Sequence, residues 1–155
     1  MARLARPAFL ATLVLAAAAL AACGGDNSEK NRYVRDLEAA QITYKTSAER
    51  IEADATQTST PTQDRRTLDR FAAAIAETIA ALRRIEVPAE VAAEHRAFVA
   101  VFVTWQRDIR RFIAAIKRPT AAGVRRARRR IAAANLTFNA SLRQAGTEID
   151  AALAS

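Results

Sequence analysis

Three sets of residues in this chain of 155 could do chemistry. The first is a concentration of cations within residues 107–130, where Arg107, Arg110, Arg111, Lys117, Arg118, Arg125, Arg126, Arg128, Arg129 and Arg130 stand against the single carboxylate Asp108. A guanidinium is a planar fork of N–H donors that fits phosphate and carboxylate oxygens. Such a cluster suits an anionic polymer, with Arg107, Arg111, Arg118, Arg125, Arg126, Arg129 and Arg130 as the candidate contacts; a solvated, solubilising face is the plainer reading. The second set is His95, the only histidine, and the third is Cys23, the only cysteine. Neither has the companions that catalysis needs. There is no Gly-x-Ser-x-Gly elbow to present a nucleophile. A di-iron site in a bundle takes Glu-x-x-His from two helices, whereas Glu90 and Glu94 stand five and one residues before His95. No catalytic residue, metal or cofactor is therefore expected.

Cys23 has a different chemistry available. It closes Leu20-Ala21-Ala22-Cys23, after a basic start (Arg3, Arg6) and an apolar run from Ala8 to Leu20. That order is the pattern of a secretory signal, and the apolar run is shorter than the roughly 20 residues a spanning helix takes. The motif resembles the lipobox of bacterial lipoproteins. The resemblance implies that Cys23 receives a diacylglyceryl group, that residues 1–22 are removed, and that the mature chain is exported and anchored by lipid to the outer face of the cell membrane, or to a periplasmic face where two membranes exist.

Export changes the meaning of the charge. Without Arg3 and Arg6 the chain carries 22 basic and 16 acidic side chains. Outside the cytoplasm nucleic acid is not an expected partner, and the polyanions within reach are lipid headgroups and envelope polymers. The distribution is uneven: residues 23–95 hold 10 basic and 13 acidic groups, and residues 96–155 hold 12 and 3. With one cysteine no internal disulfide can form, so packing alone must hold the fold.

The elements that position these groups are helices. Residues 23–32 are small or polar and read as a flexible tether, leaving residues 33–155 as the domain. A first apolar stripe runs through Tyr33, Leu37, Ala40, Tyr44, Ala48, Ile51 and Ala55, and Thr56 to Thr62, with Pro61, reads as a loop. A second takes Leu68, Phe71, Ile75, Ile79, Leu82 and Ile85, and Val87-Pro88 breaks it. The third, Val91, His95, Phe98, Phe102, Trp105, Ile109, Phe112 and Ile116, steps by four and three like a heptad seam. Because Ala97 to Trp105 is apolar almost throughout, this helix is expected to be the most buried. After Pro119 a fourth stripe follows, from Val124 through Ile131 and Phe138 to Ala152.

Four amphipathic segments on short connections predict an all-α, antiparallel up-down-up-down four-helix bundle, with a three-helix bundle and a loose helix as the rival. That topology puts Tyr33 and His95 at one end, where the hydroxyl can partner the imidazole. It also lets Tyr44, Trp105 and Phe138 meet near mid-bundle, as core filling or as a ligand cavity. The basic residues fall at the end opposite the tether. The mature part is also similar to small helical-bundle lipoproteins of unknown function from high-GC bacteria, through its opening from Tyr33 to Gln41 and its junction Val87-Pro88-Ala-Glu-Val-Ala-Ala-Glu-His95. The function expected is a membrane-anchored, non-catalytic binding or accessory module that contacts an anionic envelope polymer or another envelope protein. A small-ligand carrier or sensor with a cavity at Tyr44, Trp105 and Phe138 is the alternative.

Overall fold

Tyr33, Leu37, Ala40, Tyr44 and Ile51 recur at helical spacing and are all buried along one side of the first helix. A computed structural model of the chain describes residues 27–53, 60–115 and 121–155, the side chains of residues 27, 61, 121–125 and 128 excepted. It contains α1 (Asn27–Ala53), α2 (Pro61–Leu82), a 3₁₀ turn (Ala89–Val91), α3 (Ala92–Ala115) and α4 (Ala121–Leu153). No strand occurs among the described residues.

The direction of each helix follows from contacts at one end. Lys30 near the start of α1 donates to the Leu153 carbonyl at the end of α4 (3.1 Å) and pairs with Glu90 just before α3 (3.4 Å). Arg32 pairs with Glu86, just past the end of α2, at 3.0 Å. The helices therefore alternate, and the fold is an antiparallel up-down-up-down four-helix bundle. Tyr33, Ile75, Leu82, Val91, Phe98, Phe102, Ile109 and Ile149 are its most completely buried large side chains. Each such residue contributes roughly 1.5–3 kcal/mol of burial.

Three sequence expectations need correction. The helix begins at Asn27, so residues 27–32 belong to α1 and not to a tether. Glu29 suits the positive end of the helix dipole, and the pairs of Lys30 and Arg32 anchor the added turn to the other helices. The loop before α2 ends earlier than Thr62. Thr60 is the N-cap, its hydroxyl accepting from the Gln63 N–H while the Gln63 side chain accepts from the Thr60 N–H at 2.7 Å, and Pro61 sits in the first turn where its missing N–H costs nothing. Finally, α3 is not buried all round: Val103 is 40 % exposed, and Ala97, Ala100 and Thr104 face solvent. Its interior face is the seam from Val91 to Ile109, and alanine on the outward face made the helix look more buried than it is.

Candidate functional site

Antiparallel packing sets the C-terminal part of α3 beside the N-terminal part of α4. The register that stacks Trp105 on Phe138, with centroids 5.3 Å apart, brings Arg111 level with Arg130. Arg107, Arg110, Arg111, Arg126, Arg129 and Arg130 are all exposed. Among the described residues only Arg111 has a carboxylate partner there, Asp108 at 3.5 Å. Elsewhere among the described residues Lys30, Arg32, Lys45 and Arg65 pair with carboxylates, while Arg83, Arg84, Arg96 and Arg143 do not, so it is the crowding of cations around one carboxylate that sets this end apart. Arg126, Arg129 and Arg130 lie in the second and third turns of α4, past the first turn over which the helix dipole acts. Arg118 and Cys23 lie outside the described residues, as does the side chain of Arg125.

A groove of about 540 Å³ opens between α3 and α4 at this end. Asp108, Arg111, Arg126 and Arg130 line it together with Phe112, Ala115, Ala127 and Ala134. On the inward stripe of α4 Ala127 and Ala134 flank Ile131, and the groove opens over these two short side chains; alanine recurs farther along at Ala145, between Leu142 and Ile149. The spacing identified the cations but not this gap, which exists only once the register of α3 against α4 is set.

At the opposite end His95 is buried, and both ring nitrogens are engaged. Nε2 lies 3.1 Å from the Leu82 carbonyl, an acceptor only, so Nε2 carries the proton and Nδ1 accepts from the Tyr33 hydroxyl at 3.2 Å. Burial lowers the imidazole pKa, partly opposed by the Leu82 carbonyl, and favours this neutral tautomer. The Tyr33 hydroxyl is pushed well above its ordinary range by burial and then by the Glu94 and Asp150 carboxylates. One Glu94 oxygen is itself buried without a hydrogen-bond partner. With both nitrogens committed, His95 is a structural link between α1, α2 and α3. Among the described residues no group of three His, Cys, Asp or Glu side chains could hold a metal ion.

Tyr44, Trp105 and Phe138 do come together. The Trp105 indole N–H donates to the Tyr44 hydroxyl at 3.0 Å, Trp105 stacks on Phe138, and Tyr44 meets Phe138 edge-on at 6.0 Å. Phe102 closes the group, 5.3 Å from Tyr44 and 5.4 Å from Phe138. These rings cover one another's faces, and burial pushes the Tyr44 pKa up to about 12. The groove at the basic end is lined by none of them.

The chain matches no protein-family model, no curated protein and no solved structure with which it was compared. No described helix is long and apolar enough to cross a membrane. Glu52 in α1, which the sequence did not single out, is the carboxylate whose pKa is raised to about 7, first by burial and then by Glu49.

Proposed function

We propose that this chain is a lipid-anchored, non-catalytic module of the cell envelope that binds an anionic envelope polymer through the arginines of α3 and α4. The observation that carries the reading is the set of exposed arginines, Arg107, Arg110, Arg126, Arg129 and Arg130, for which the described residues supply no carboxylate. Mutual repulsion there is relieved when an anionic chain lies along them. The commitment of both His95 nitrogens to packing supports a role without catalysis.

Anchoring rests on the lipobox-like Leu20-Ala21-Ala22-Cys23. From Cys23 to the start of α1 at Asn27 the chain spans at most about 14 Å. A lipid on Cys23 therefore keeps the Tyr33–His95 end close to the membrane. α1 is about 40 Å long at 1.5 Å per residue. An upright bundle holds the arginines several screening lengths from the headgroups, each length being about 8–10 Å, and turns them towards envelope polymer.

The test is retention on an immobilised anionic polymer. Wild-type protein is expected to elute at rising salt, and reversing Arg125, Arg126, Arg129 and Arg130 to glutamate should abolish the retention. Unchanged retention would remove the polymer reading. Replacing Cys23 by alanine should release the protein from the membrane fraction.

A further inference from the structure

We propose that the groove between α3 and α4 binds a phosphomonoester carrying an aliphatic arm, the phosphate held by Arg126 and Arg130 and the arm lying over Phe112, Ala127 and Ala134. The proposal rests on the reading of this end as anion-binding and gives it a specific ligand class.

Two observations select that class. The first is charge: of the three arginines lining the groove, Arg111 is shared with Asp108, while Arg126 and Arg130 have no carboxylate partner among the described residues. Two uncompensated guanidinium groups match the two charges of a phosphomonoester near neutral pH, whereas a phosphodiester or a carboxylate brings one. Each guanidinium can also donate two parallel N–H bonds to phosphate oxygens.

The second is the floor. Ala127 is buried and Phe112 and Ala134 are half-buried, so the bottom of the groove is hydrocarbon. Alanines at two seam positions of α4 leave a slot that none of the described side chains fills. At about 540 Å³ the groove falls within the roughly 300–1,000 Å³ of small-molecule sites. A bare phosphate or a polymer backbone would use the rim and leave this floor wet, while an aliphatic arm beside the phosphate removes it from water.

The experiment is calorimetric titration of the full chain in nonionic micelles with hexyl phosphate, inorganic phosphate and hexanoate. Hexyl phosphate should bind at least about tenfold more tightly than either of the others, a difference of about 1.4 kcal/mol. Ala134→Leu fills the slot and should erase that advantage while leaving inorganic phosphate binding and polymer retention as they were. Ala115→Leu, at an exposed position on the rim, gives the same readout without touching the core, and comparison with wild type cancels partition of the ligand into micelles. Arg126→Gln with Arg130→Gln should weaken hexyl phosphate and inorganic phosphate together. Equal affinity for hexyl phosphate and inorganic phosphate, equal affinity for hexanoate, or an advantage that survives Ala115→Leu overturns the proposal. Each of those results leaves polymer retention as a separate measurement, so the broader reading stands or falls independently.

Discussion

The Tyr33 hydroxyl lies 3.2 Å from Nδ1 of His95, across the diagonal of the bundle from α1 to α3. About three turns along, a second link on the same diagonal joins Tyr44 to the Trp105 indole at 3.0 Å. Apolar seams tolerate a slide of one helix against another, because one hydrocarbon contact replaces the next. These two bonds do not, since a slide by one turn strands an imidazole nitrogen and an indole N–H in the core. They fix the register of α1 against α3, while the stack of Trp105 on Phe138 sets α3 against α4 and so places Arg111 near Arg130.

Tyr33→Phe keeps the ring and removes the donor, leaving Nδ1 of His95 buried without a partner. The expected loss is about 1–3 kcal/mol in urea unfolding. A double-mutant cycle with His95→Phe should show coupling above about 0.5 kcal/mol, and strictly additive losses would contradict a direct bond.

Trp105 is the only tryptophan, so its fluorescence reports the second link alone. It is 5 % exposed, which predicts blue-shifted emission that moves to the red on unfolding. Tyr44→Phe should cost about 1–2 kcal/mol while the emission stays blue. A red shift in the folded variant would mean that the hydroxyl, and not ring packing, keeps water from the indole.

Acid should act through His95. Its folded pKa is lowered, so between that value and the ordinary one of about 6.5 the unfolded chain binds a proton that the folded chain does not. Stability from this group is complete above about pH 6.5 and falls as pH drops below it. The ring's partners are the Tyr33 hydroxyl and the Leu82 carbonyl, with the Glu94 and Asp150 carboxylates acting on that hydroxyl, and His95→Gln should flatten this part of the pH profile. An unchanged slope would assign the acid sensitivity elsewhere.

Glu52 has the opposite sign. With its carboxyl pKa raised from 4.5 to about 7, the folded state holds a proton that the unfolded state releases, and stability from this group is lost as pH rises through that window. Glu52→Gln should gain about 1 kcal/mol near pH 8, after allowance for solvent screening, and nothing near pH 4. Equal effects at both values would contradict titration as the cause.

Gly146 sits inside α4, and a Cβ there would meet nothing within 4 Å. Gly146→Ala should raise stability by about 0.5–1 kcal/mol, read from the denaturation midpoint. A loss would mean that the glycine serves a need outside the described contacts.

The residues that were legible in the sequence share one property: their signal is periodic. Tyr33, Tyr44, His95 and Trp105 fall on apolar stripes, and alternating helix directions then place each pair at a common level. Lys30 and Arg32 gave no such signal, because their partners Glu86, Glu90 and Leu153 are distant in sequence and helical structure there depends on tertiary contact. The start of α2 was readable in principle, since Thr60-Pro-Thr-Gln63 has capping-box spacing, but proline and threonine drew it towards a loop. The groove was hidden for a different reason. It is made by the shortness of Ala115, Ala127 and Ala134, and a missing volume has no position until two helices are in register.

The most direct test of the account compares charge reversal at the two ends of the bundle. Arg126 and Arg129 would be changed to glutamate in one variant, and Arg83 and Arg84, exposed at the Tyr33–His95 end, in another. The net charge change is the same, so a non-specific attraction predicts equal losses of retention on an anionic polymer. The account predicts a large drop in eluting salt for the first pair and a small one for the second. Equal drops, or a larger one for Arg83 and Arg84, would contradict it.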